Sequence, residues 1–221
     1  MLGGLVLSVG VFCVRNATLS NAWQYIFWRA LGFTFALVAI AWLRDHRSPF
    51  RQLAGLGRWA WIAALCMALS QVTFISSIMA ATFAEVFLIC SLTPVITAAL
   101  AWPLLNERIG WITMVAVVVG ITGVVVMTGG ELHSTNVMGQ LIALVSALAF
   151  AGYALCTRGS KPGDLDAALI GVGVLTALAG LAATSLMGLP LMASPVDAAI
   201  AFGHGALLLS AGLFLFGQGS R

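Results

Sequence analysis

Charge is almost missing from this chain, and the little there is sits in short gaps between long apolar runs. Residues 59–84, 109–130, 167–196 and 198–220 contain no Asp, Glu, Lys or Arg. Only 8% of the 221 residues are charged and 61% are hydrophobic, where an average soluble domain is about 25% charged. So little polarity cannot coat a surface that faces water, so most of the surface must face lipid. A helix needs about 20 apolar residues to cross the hydrocarbon core, and each of these runs is long enough. The pattern predicts an all-α polytopic membrane protein.

The runs divide into eight expected spans, at about residues 2–14, 23–43, 59–79, 83–105, 111–127, 137–156, 167–187 and 198–216. The first is short for a crossing unless it continues past Arg15 or starts upstream of Met1. Trp23, Trp42, Trp59, Trp61 and Trp111 stand at the ends of runs, where tryptophan anchors a helix at the interface. Basic residues then set direction. Arg44, Arg47, Arg51 and Arg58 follow span two, Arg108 follows span four, Arg158 and Lys161 follow span six, and Arg221 ends the chain. The gaps after odd-numbered spans hold only Arg15. By the positive-inside rule, the amino terminus, the even-numbered gaps and the carboxyl terminus are expected in the cytoplasm, and the protein in the cytoplasmic membrane.

Other classes find little support. Cys13, Cys66, Cys90 and Cys156 all fall in apolar segments without a CxxC or a Cys/His cluster, so neither a disulfide framework nor a metal site is expected. The net charge of +3 is spread over loops and forms no nucleic-acid patch. No basic stretch precedes the first apolar run, so no cleavable signal is expected. An intramembrane lipid enzyme would need clustered acids, an HExxH or a Ser/His/Asp trio at one depth. His46, His133 and His204 are instead scattered. No cofactor is implied. Small residues at four-residue spacing, Gly139, Ala143, Ala147 and Ala151 in span six and Ala116 and Gly120 in span five, predict close helix packing.

Span four has the most specific content. Pro94 lacks an N–H and displaces the carbonyl of Cys90, which predicts a kink in mid-membrane. Ser91, Thr93 and Thr97 lie close enough to serve the freed groups. A polar break at this depth is where transporters build sites; a plain structural kink is the competing reading. Glu85, about one turn inside the outer face, is a costly intramembrane carboxylate and a candidate for proton coupling or a cationic substrate. Arg29, about two turns into span two, stands at similar depth, so a static Arg29–Glu85 ion pair competes with that reading. Gln71, Thr73, Ser76 and Ser77 in span three, with Gln24 and Tyr25 in span two, are read as interhelical hydrogen-bonding groups or polar lining. His204 is read as a packed hydrogen-bonding histidine.

Ala81-Thr82-Phe83-Ala84, then Leu92-Thr93-Pro94-Val95, then Asn106-Glu107-Arg108 at the cytoplasmic end resemble the EamA-type repeat of the drug/metabolite transporter superfamily. Trp28-Arg29-Ala30 and the helix from Gly110 to Met127, with Gly120 and Gly123 before a valine run, match it too. The resemblance implies a ten-helix fold of two inverted five-helix halves, with residues 1–130 as the first repeat and 137–221 as the opening three helices of a second. The last two helices of that fold are expected to be lacking, since nothing after Ala198 repeats the Leu-Thr-Pro-Val segment. It also implies a secondary transporter, exporting a small organic metabolite or drug-like solute, and not an enzyme; a non-transporting fragment of such a carrier is the alternative. Arg29, Gln71, Glu85, Ser91, Thr93 and Pro94 are the candidates for substrate path or coupling, and Asn106, Glu107 and Arg108 mark the family motif. The lipid bilayer, an unidentified small molecule and a second copy of the chain are the expected partners.

Overall fold

The computed structural model describes residues 13–14, 21–45, 53, 55–105, 137–160, 164–192 and 194–212, with isolated positions between 110 and 122. Among them, six helices are long and apolar enough to cross a membrane: Ala22–Leu43, Arg58–Ala80, Phe83–Trp102, Val137–Arg158, Ala167–Leu186 and Pro195–Gly212. They coincide with six of the eight expected spans to within a few residues. The other two, 2–14 and 111–127, lie largely outside the described residues. No strand occurs among those described. The chain is an all-α, multi-pass membrane protein.

The helices are α1 (Ala22–Asp45), α2 (Arg58–Ala80), α3 (Phe83–Ser91), α4 (Thr93–Leu105), α5 (Val137–Arg158), α6 (Asp164–Leu186) and α7 (Pro195–Gly203), the last running into a π-helical stretch, His204–Leu209. The last span starts at Pro195, three residues before the expected Ala198. The Ser194 hydroxyl accepts the Val196 N–H at 3.3 Å and Pro195 needs no donor partner in the first turn. Asp197 therefore does not interrupt the helix; it sits in the first turn, where the dipole favours an acid.

Two compact units form, one from residues 1–57 with 161–221 and one from residues 58–160. In the second unit α2 lies along α5. Lipid supplies no hydrophobic drive for helices to meet, so close van der Waals packing between small side chains must do so. The contact faces obey this: Ala60, Ala63, Ala64, Ala68 and Ser70 are buried on α2, and Gly139, Ala143, Ser146, Ala147 and Ala151 on α5. The large side chains point outward, among them Ile62, Leu65 and Leu69 on α2 and Leu141, Leu144 and Leu148 on α5. Ser146 donates to the Ser70 carbonyl at 3.0 Å across this face, and α3 and α4 also pack on α5.

In the first unit α1 packs on α6 on one side and on α7 and the π-helical stretch on the other. Tyr25, Ile26 and Phe33 are fully buried. The crossing with the π-helical stretch is a backbone contact. A Cβ at position 205 would come within 2.8 Å of the Phe33 nitrogen and 2.9 Å of the Arg29 carbonyl carbon. Only glycine fits at Gly205.

Candidate functional site

The break in the fourth span is built by three adjacent residues. Pro94 cannot donate to the Cys90 carbonyl, and the Thr93 hydroxyl takes over that carbonyl at 2.6 Å. α3 stops at Ser91; Leu92 turns with φ −76° and ψ −8° and donates to the Ile89 carbonyl at 3.1 Å. The helix then resumes at Thr93 as α4. Ser91 donates to the Leu88 carbonyl at 2.6 Å and Thr97 to the Thr93 carbonyl at 2.8 Å. The three hydroxyl protons are thus committed to their own helix, and what each oxygen still offers is acceptor capacity. Ser91 and Pro94 are exposed and Thr93 is half-buried.

Glu85 closes a capping box at the start of α3. Its Oε2 accepts the Thr82 N–H at 3.0 Å and the Thr82 hydroxyl at 2.8 Å, while the Thr82 oxygen accepts the Glu85 N–H at 3.4 Å. Its Oε1 accepts from the Gln140 amide of α5 at 3.2 Å. These bonds favour a carboxylate at a helix N-terminus in three ways: dipole, cap and side-chain donor. Gln71 is buried on α2, one residue from the Ser70–Ser146 contact.

Among the described residues, the first unit holds the larger set of buried polar side chains. Arg29 is 2% exposed, Tyr25 0% and His204 6%. The Tyr25 hydroxyl and His204 Nδ1 lie 2.7 Å apart, with donor and acceptor roles set by the tautomer, and the rings are tilted at 58° with centroids 6.0 Å apart. Arg29 follows Tyr25 by one turn of α1. His204 opens the π-helical stretch, an irregularity frequent at functional sites. Two bonds dock the preceding loop onto α1: the Gln24 amide donates to the Pro190 carbonyl, and the Trp28 indole to the Leu191 carbonyl at 2.8 Å. On α6, Thr176 is buried, and its hydroxyl has no hydrogen-bond partner among the described residues. Among those residues no His, Cys, Asp and Glu cluster could hold a metal ion.

A family model, that of the EamA-like transporter family, matches residues 1–129. The chain belongs to the EamA-like transporter family. No curated protein and no solved structure matches it. This EamA-like chain is a membrane transporter, with helices α1 to α4 inside the matched stretch and α5 to α7 beyond it. The motif residues Asn106, Glu107 and Arg108 fall within the match but outside the described residues. Of the candidates read from the sequence, Arg29 lies in the first unit, and Gln71, Glu85, Ser91, Thr93 and Pro94 lie in the second. Thr82 and Gln140 are among the donors to Glu85. The Thr82-x-x-Glu85 spacing is itself a capping-box signature; Gln140, 55 positions away, has no sequence signal. The Tyr25–His204 pair spans 179 positions and has none either.

Proposed function

We propose that this EamA-like protein is a secondary carrier of the cytoplasmic membrane that exports a small organic metabolite, with its amino terminus in the cytoplasm. The observation that carries the reading is the family match over residues 1–129, joined to six membrane-length helices. The orientation is supported by the basic residues, eight in or after the even-numbered gaps against Arg15 alone in the odd-numbered ones. Two features inside the apolar helices support a carrier over a passive scaffold: the broken span at Leu92–Pro94, whose oxygens keep acceptor capacity, and the buried Arg29. Export as the direction comes from the family resemblance alone.

The reading is tested by expressing the chain in a bacterial host and profiling solutes in the medium. At least one small organic solute should accumulate outside several-fold above a control, and the accumulation should stop when the membrane potential and proton gradient are collapsed. A chain present in the membrane with an unchanged external solute profile would overturn the proposal.

A further inference from the structure

We infer that one end of the second unit, where Arg58 stands above an exposed apolar stripe of α2, is a binding site for an anionic phospholipid; the inference goes beyond the transport reading and does not depend on it. Trp59 lies in the first turn of α2, and Gly159 follows the last residue of α5. A Cβ at position 159 would lie 3.5 Å from two atoms of the Trp59 ring, so the indole rests against the backbone of that turn. This contact brings the neighbours of the two residues, Arg58 and Arg158, to the same end of the unit. Both are exposed. The Arg58 guanidinium carbon is 5.5 Å from the centroid of the Trp59 ring, and cation–π attraction steadies a side chain that would otherwise sample many rotamers.

Glu85 is the other charged residue described in the second unit, and it caps α3 beyond the far end of α2. The 23 residues of α2 put about 30 Å between it and Arg58. Among the described residues, this end of the second unit is therefore cationic. In the first unit, Asp164 Oδ2 would lie 3.3 Å from a Cβ at Gly57, the residue before Arg58, and it offsets part of that field. The guanidinium fork matches the oxygens of a phosphate.

The stripe below Arg58 selects a lipid over free phosphate. Ile62, Leu65 and Leu69 follow Arg58 at intervals that return to one side of a helix, and all three are exposed. From Arg58 to Leu69 the helix rises about 16 Å, which matches half of a hydrocarbon core of about 30 Å. A phosphate held by Arg58, the first residue of a membrane-length helix, places an acyl chain along this stripe. The exposed Trp61 adds an indole at the level where headgroup meets chain. Free phosphate would gain nothing from these apolar side chains.

The full chain, purified in a non-ionic detergent, is offered equimolar phosphatidylglycerol and phosphatidylcholine with the same acyl chains, and the retained lipid is counted by native mass spectrometry. Phosphatidylglycerol should be retained several-fold over phosphatidylcholine. Arg58 is exposed, so its replacement should leave folding intact. Arg58→Gln should lower the preference about fivefold, as expected for one basic residue at an anionic surface. Arg51→Gln removes the same charge from the gap before α2 and should leave the preference nearly unchanged, whereas Asp164→Asn should raise it. Equal retention of the two lipids, or an equal loss of preference in Arg51→Gln and Arg58→Gln, overturns the site. Displacement of phosphatidylglycerol by an equal concentration of glycerol phosphate also overturns it, because the headgroup alone would then suffice.

Discussion

Tyr25 and His204, 179 positions apart in the chain, meet through a hydroxyl-to-Nδ1 contact of 2.7 Å inside the first unit. Both are buried, so neither group has water as a substitute partner. The contact ties the first half of the chain to the π-helical stretch near its end.

Tyr25→Phe removes the hydroxyl and leaves the His204 nitrogen to be satisfied elsewhere. A buried unsatisfied group costs about 1–3 kcal/mol in a water-soluble protein, but interhelical hydrogen bonds in membranes average about 0.6 kcal/mol, because the unfolded state also finds partners. The membrane figure governs here. Tyr25→Phe should destabilise the chain by roughly 1 kcal/mol in reversible unfolding from mixed micelles, and His204→Phe in that background should add less than it does alone.

Gly205 and Gly203 offer a matched pair on one helical segment. A Cβ at 205 runs into the backbone of Arg29 and Phe33, which cannot step aside, whereas a Cβ at 203 meets nothing within 4 Å. Gly205→Ala should cost about 1–3 kcal/mol or prevent folding, as overpacking does. Gly203→Ala should be neutral or stabilising by up to about 1 kcal/mol, the helix-propensity gain. Thermal unfolding of the two variants checks this; similar midpoints would contradict the crossing geometry.

At the start of α3, Thr82→Ala removes the cap and should cost about 1 kcal/mol, with faster amide exchange at Phe83 to Val86. Glu85→Gln keeps the shape of the side chain but not its charge. If the carboxylate serves the cap, as its bonds to Thr82 and Gln140 indicate, the double substitution should cost less than the sum of the two singles. Solute export should then survive in Glu85→Gln in proportion to the amount of folded protein. Loss of export from a normally folded Glu85→Gln would assign the residue to coupling instead.

The hydroxyl of Thr93 stands in for the missing N–H of Pro94 at the Cys90 carbonyl. Thr93→Val keeps the volume and removes the donor, and it should destabilise the chain by about 0.5–1.5 kcal/mol. Combining it with Pro94→Ala, which restores the N–H, should recover most of that loss. Failure of the second change to rescue the first would mean that the Thr93 bond is incidental.

Orientation is open to direct labelling. In a background stripped of Cys13, Cys66, Cys90 and Cys156, single cysteines at Ser134 and Ser194 should react with an impermeant thiol reagent in intact cells, and one at Arg51 should not. The opposite pattern would invert the topology.

Apolar run length determined, without any tertiary information, that this is a helical membrane protein and where six of its spans lie, because the cost of an unpaired backbone group in lipid leaves a run of 20 apolar residues little choice but to cross as a helix. The break at Pro94 was equally local: a missing N–H and a neighbouring threonine are decided within four residues. Even the cap at Glu85 was written locally, in Thr82-x-x-Glu85. What no local rule could decide was which buried polar groups would meet. Tyr25 and His204 each read as a single polar residue in an apolar helix, and Glu85 and Arg29 as candidate partners for each other. Side chains in a span all face similar surroundings along the sequence, so pairing depends on helix rotation and crossing point. Those are decided by where small residues such as Gly205 and Gly139 let backbones touch. Packing of glycine and alanine, not the polar residues themselves, put Tyr25 against His204 and Gln140 against Glu85.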